Sequence, residues 1–171
     1  MKIEDDLLDQ KEFEYLQDLI MGRDIAWYYQ DGIDFENVET ENEFMLTHIF
    51  YFRSVPCSSH FNDIETIFLE KIDPISLWRI KANLLTKTSN IVENSFHTDL
   101  MAISEEKLKQ WTTSIFYVNT NNGYSKFEDG TKVESVANRM VTFPANIKHH
   151  GTSCTDEKRR IVINFNYFEN T

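Results

Sequence analysis

From Trp111 to Tyr167 the chain alternates short aromatic and β-branched segments with turn signals, and this cadence limits the fold more than any other feature. Thr113–Val118 reads Thr-Ser-Ile-Phe-Tyr-Val, residue types that suit a pleated, half-buried strand. Asn121-Asn122-Gly123 and Asp129-Gly130 supply turns. Tyr124–Phe127, Lys132–Val136, Arg139–Phe143 and Ile161–Tyr167 are further strand candidates. Closely spaced short strands of this kind specify a sandwich or barrel.

The first part of the chain adds helices. Phe13, Leu16 and Ile20 fall at helical spacing over 10–21, with Asp9 as N-cap, Glu12 as its capping-box partner and Gly22 as the stop. Phe61, Ile64, Phe68 and Ile72 form a second stripe that Ser58-Ser59 caps and Pro74 ends. Phe44–Phe52 reads as a strand. Leu77–Thr86 places Trp78, Ile80, Ala82 and Leu84 on one parity and Arg79, Lys81 and Asn83 on the other, a strand with one polar face. A short helical turn is expected at Ser104–Gln110. Residues 33–43 read as an acidic surface loop, and Trp27-Tyr28-Tyr29 as an aromatic cluster packed in the core. Two helices followed by a run of strands predict a mainly β fold with helices laid on one sheet. The 171 residues suit one domain with a sizeable core.

Within that scaffold His97 and Asp99 stand two apart. On an extended backbone such residues point to the same side, so one imidazole and one carboxylate can converge on an ion. A downstream histidine, His149 or His150, follows a strand on another part of the chain and would complete a 2-His-1-carboxylate set. That set is diagnostic of non-haem Fe(II) oxygenases because it leaves positions open on the metal. Arg159-Arg160 then opens the last strand. An Arg fork pairs with both oxygens of a carboxylate, which suits an acidic cosubstrate. The basic residues around Lys148 and Arg160 stand out in a chain of net charge −11. The acidic balance argues against nucleic acid or an anionic membrane as partner. Cys57 and Cys154 lack a CxxC partner and read as free thiols of a reducing compartment. No secretory leader or apolar run near ~20 residues is present, so a cytoplasmic protein is expected.

These residues resemble the 2-oxoglutarate- and Fe(II)-dependent oxygenases, especially the small prolyl-4-hydroxylase-like members found in phages of marine bacteria. The resemblance rests on His97-Thr98-Asp99, Tyr117-Val118-Asn119, Gly123 leading to Phe127, Phe143-Pro144, His149-His150-Gly151 and Arg160-Ile161-Val162-Ile163-Asn164-Phe165-Asn166. It covers roughly residues 77–168, and the first third matches only loosely. The family's Phe-Pro and His-x-Gly registers select His149 as the distal ligand, and its last strand selects Arg160 as the cosubstrate anchor. The resemblance implies a double-stranded β-helix, a jelly-roll of the cupin kind. One domain would span 1–171, with helical support over about 1–76 and the β-helix core over about 77–168. It implies Fe(II) on His97, Asp99 and His149, 2-oxoglutarate on Arg160 with Tyr117 at its distal carboxylate, and dioxygen, with ascorbate in support. The implied activity is hydroxylation, prolyl-hydroxylase-like, of an unidentified peptide, protein or small molecule, in the host cytoplasm if the chain is phage-encoded. The alternative is a cupin-like barrel that binds metal without catalysis. On the same parity as Arg160 stand Val162 and Asn164, while Ile161, Ile163 and Phe165 face the other way. Lys81 and Asn83 are candidates for the pocket wall or for plain solvent exposure. Arg159 is expected to be an exposed charge, and His150 to sit behind the metal or against substrate. His48 and His60 have no ligand-like spacing.

Overall fold

The structure, a computed structural model, describes residues 1–32, 44–100 and 103–169; the stretch 33–43, read from sequence as an acidic loop, lies outside the described residues. The chain opens with β1 (Lys2–Glu4) and α1 (Gln10–Met21). The Asp9 side chain accepts from the backbone N–H of Lys11 and Glu12, which satisfies two of the donors a helix start leaves unpaired. After β2 (Tyr28–Asp31) comes β3 (Phe44–Phe52), and β4 (Val55–Pro56) folds back on it. Helix α2 (Phe61–Ile72) follows. Its cap differs from the expected one: His60 holds the N-cap position without a side-chain bond, and Ser58 Oγ accepts from His60 N instead. Asp73 then turns the chain in a left-handed conformation into β5 (Pro74–Thr86).

After α3 (Glu105–Leu108), capped at Ser104, the chain is all strand: β6 (Thr112–Tyr117), β7 (Tyr124–Phe127), β8 (Lys132–Glu134), β9 (Arg139–Pro144), β10 (His149–Gly151) and β11 (Arg159–Glu169). Among the described residues eight strands form one antiparallel sheet in the order β1-β9-β6-β11-β5-β3-β2, with β4 on β3. Three form a second sheet, β10-β7-β8. This is the two-sheet jelly-roll arrangement of a double-stranded β-helix, mainly β with flanking helices.

Strand parity divides the large sheet into two faces. One carries Ile80, Ala82, Leu84, Phe116, Ile161, Ile163 and Phe165, and packs on Phe13, Leu16 and Ile20 of α1 and Ile64, Phe68 and Ile72 of α2. Phe68 meets Phe116 and Phe165 with ring centroids 4.9 and 4.7 Å apart. Burying each such side chain contributes ~1.5–3 kcal/mol, so the helices clamp this face against deformation. The other face meets the small sheet through Ile115, Tyr117, Phe127, Val133, Val141, Phe143 and Val162. Towards one end the two sheets part, and the polar residues of β5 and β11 line the gap.

Residues 2–4, for which the sequence offered no element, form an exposed strand on the edge of the main sheet, pairing with β9, and one N-terminal reading is corrected. Tyr28 and Tyr29 are 63% and 65% exposed on the edge strand β2, so only Trp27 of that cluster packs against the core. No helix among the described residues is long and apolar enough to cross a membrane.

Candidate functional site

A cavity of about 510 Å³ opens between the sheets, and His97, Asp99, His149 and Arg160 all line it. His97 and His149 come from different segments. They are drawn together by two backbone hydrogen bonds, His97 N–H to His149 O and the reverse, both 3.0 Å. Asp99 follows two residues on. Its Oδ1 lies 3.9 Å from His97 Nε2 and 3.8 Å from His149 Nε2. One ligand atom from each of the three lies within 4.8 Å of the others. His150 takes the opposite parity. Its ring packs edge-on to Phe96 and its Nε2 lies 3.6 Å from Glu93, outside the cavity.

The donor set fits a divalent ion. His97 Nδ1 lies 3.0 Å from Ser95 O and His149 Nδ1 3.4 Å from Ile147 O. Carbonyls accept only, so both rings carry the proton on Nδ1 and present an Nε2 lone pair towards Asp99. Burial brings the His149 pKa down to about 4, against the opposing charge of Asp99, so the ring is neutral near pH 7. Burial alone would raise the Asp99 pKa. The charges of Arg79, His149 and His97 and a hydrogen bond from Asn166 outweigh it and hold the carboxyl well below the usual carboxylate range.

Asp99 is oriented by residues that the sequence reading left without a role. Asn164 Nδ2 and Asn166 Nδ2 each donate to Asp99 Oδ2 at 3.1 Å, and Arg79 Nη2 lies 3.4 Å away. Arg79 Nε donates to Asn166 Oδ1, and Asn166 Nδ2 also donates to Thr113 Oγ1, so the bracket is itself fixed. The available signal was polar parity on buried strands: Asn164 and Asn166 lie four and six residues after Arg160, and Arg79 shares the face of Lys81 and Asn83.

Arg160 is 3% exposed. It donates from Nε to Ser135 Oγ at 2.7 Å and from Nη2 to Ser125 Oγ at 3.2 Å, and no carboxylate among the described residues pairs with it. Its side chain runs through a slot walled by glycines. A Cβ on Gly123 would meet Arg160 Cδ at 2.7 Å, and one on Gly151 would meet Nη1 at 3.2 Å. The Tyr117 ring centre lies 5.7 Å from the guanidinium, and its buried hydroxyl has no hydrogen-bond partner. A buried cation without a counter-charge and an unpaired hydroxyl beside it are both costly unless a ligand completes them. A carboxylate has the charge and the acceptor oxygens to satisfy both.

Arg159 differs from expectation. It is half-buried and donates from Nη2 to Met21 O, which caps the last turn of α1. Lys81 and Asn83 line the cavity. Burial, reinforced by Arg79 and opposed by Asp99, lowers Lys81 to about 8. His48 bridges Ala26 O and Ser58 Oγ and has no ligand role.

No family model and no curated protein sequence matches the chain. Solved structures do. A prolyl hydroxylase from Trichoplax adhaerens, in complex with a hypoxia-inducible-factor oxygen degradation domain peptide fragment, superposes with a TM-score of 0.67 at 12% identity, over 98% of this chain and 83% of that one. A 2OG-Fe(II) oxygenase family oxidoreductase from Burkholderia pseudomallei gives 0.65 at 10% identity, over 96% and 82%. HygX from Streptomyces hygroscopicus, with nickel and 2-oxoglutarate bound, gives 0.64 at 8% identity, over 98% and 82%. The chain thus shares the fold of 2-oxoglutarate- and Fe(II)-dependent oxygenases.

Proposed function

We propose that the chain is an Fe(II)- and 2-oxoglutarate-dependent oxygenase, one domain over 1–171, and within that class a hydroxylase of the prolyl-hydroxylase-like kind. One observation carries the reading: a buried Arg160 with no carboxylate partner among the described residues shares a cavity with a two-histidine, one-carboxylate cluster. A metal-binding barrel without catalysis has no use for that Arg. The fold shared with HygX, whose structure holds nickel and 2-oxoglutarate, supports the same assignment.

In this reading His97, Asp99 and His149 hold Fe(II), and Arg160 with Tyr117 holds the remote carboxylate of 2-oxoglutarate. With iron, 2-oxoglutarate and dioxygen held there, the site would convert a substrate C–H to C–OH, one oxygen atom of dioxygen entering the product and the other the succinate as CO₂ leaves. The chain's own residues set the conditions. Ser95 O and Ile147 O fix the imidazole tautomers. Asn164, Asn166 and Arg79 keep Asp99 ionised and aimed. Ser125 and Ser135 fix the Arg160 fork, so little side-chain freedom is lost when a carboxylate arrives. Leu100, Ile115 and Val162 add apolar wall to the cavity beside these charges. The test is an anaerobic titration of 2-oxoglutarate into the Fe(II) protein, followed by its visible charge-transfer band, and then succinate release on admitting air. Absence of both would sink the assignment.

A further inference from the structure

Among the described residues, two cavity lysines stand outside both the metal cluster and the Arg160 slot: Lys148, which faces Glu128 at 3.9 Å, and Lys81. Lys81 stands on β5 opposite Asn164 of β11 and two residues from Arg79, with Asn83 next on the same face opposite Val162. Among the described residues Lys81 makes no ion pair. The nearby carboxylates are engaged elsewhere: Asp99 by Arg79, Asn164 and Asn166, rim Glu105 by Lys109 at 3.9 Å, and rim Glu128 by Lys148 at 3.9 Å. Two acceptors beside it are also incomplete. Asn83 Oδ1 and Asn164 Oδ1 are buried without a donor. For Asn164 the orientation is fixed, because its Nδ2 donates to Asp99 and its oxygen is therefore the end left over.

Lys81 is half-buried; a cation facing a cavity without a counter-charge favours an anion, and buried acceptors ask for donors. A ligand that answers both carries a carboxylate and an N–H group close together. Resting on the proposed oxygenase reading, in which Arg160 is already taken by 2-oxoglutarate, we propose that Lys81, Asn83 and Asn164 form the primary-substrate subsite, and that its occupant is a small amino-acid-like carboxylate. Lys81 takes the carboxylate, and the two amide oxygens take the amino group. The subsite lies on the β5 side of the cavity, across from the Tyr117 side of β11. An internal residue of a long peptide has no carboxylate on its backbone to offer, so the same arrangement selects against it.

The probes are the free L-amino acids and their carboxamides, added to protein loaded with Fe(II) and 2-oxoglutarate. A wild-type protein that gives no 2-oxoglutarate band fails the oxygenase reading itself, whereas the amino-acid responses bear on the subsite alone. At least one free acid is expected to perturb the band and speed succinate release, with its carboxamide at least tenfold weaker in half-saturating concentration. Lys81→Met is expected to weaken that acid tenfold or more while 2-oxoglutarate titrates within threefold of wild type. Lys81→Arg, which keeps the charge, is expected to recover most of the preference. Equal responses to acid and carboxamide, no response to any amino acid, or a parallel loss of 2-oxoglutarate in Lys81→Met each overturn the proposal. Should Lys81→Met not fold, the comparison of acid with carboxamide on the wild-type protein decides alone.

Discussion

At the scale of single residues, adjacent pairs of like side chains do opposite jobs. His149 turns into the cavity while His150 turns out towards Phe96 and Glu93. We expect His149→Ala, like His97→Ala or Asp99→Ala, to lower Fe(II) affinity at least a hundredfold, since direct ligands matter more than the outer-shell partners worth roughly 10–100-fold. His150→Ala should keep the metal; metal content after dialysis separates them. The arginines divide likewise. Losing one partner of a buried charged pair costs ~3–5 kcal/mol, so Arg160→Ala should weaken 2-oxoglutarate by about two to four orders of magnitude at 1.4 kcal/mol per tenfold, with Fe(II) binding intact. Arg159→Ala should leave the titration alone and instead loosen the end of α1, a loss of ~0.3–1 kcal/mol readable by thermal unfolding.

At the scale of elements, what the sequence disclosed depended on how local its cause was. The stripe of α1, its Asp9 cap and the alternation along β5 and β11 are set by neighbours a few residues away, and each is visible in order along the chain. The two-residue spacing of His97 and Asp99 and the parity of Arg160 were legible for the same reason, whereas His149 joins them only through a bridge between segments distant in sequence. The strand at 2–4, the outward Tyr28 and Tyr29, and the bond from Arg159 to Met21 depend on partners far away in sequence. The bracket around Asp99 is similar: Asn164, Asn166 and Arg79 meet it only through the pairing of β5 with β11, which no local pattern states. One such distant tie carries a stability test. Asn138, in a left-handed backbone conformation, donates to Leu8 O and accepts from Leu8 N, joining the first residues to the turn before β9. Asn138→Ala loses both bonds and adds backbone strain. It should cost about 2–4 kcal/mol in urea unfolding, and Asn138→Gly, which keeps the backbone relaxed, should cost less.

At the scale of the whole molecule, one face of the large sheet is clamped by helices and the other opens into the cavity, so stability and chemistry meet across a single layer. The metal-free protein should report this through pH. His149 has a folded pKa of about 4 against ~6.5 unfolded, so between those values the unfolded chain binds more protons and stability rises with pH. Acidifying from pH 6.5 to 4 should therefore cost up to about 3 kcal/mol at 1.36 kcal/mol per unit, and His149→Asn should flatten that slope in urea titrations. A last consequence comes from the way His97 and His149 are joined. The strip from Val92 to His97 is stitched to the β10 segment by four backbone hydrogen bonds: Ser153 N–H to Val92 O, Asn94 N–H to Gly151 O, and the reciprocal pair at His97 and His149. An ion held by His97, Asp99 and His149 acts as a rivet at the end of this seam. Chelation should let the strip peel as one unit, so that amide exchange at Asn94, His97, His149 and Ser153 quickens together while β11 keeps its pace. Loss of such an ion would then register as a nick in the outer seam of the barrel before any change in its sheets.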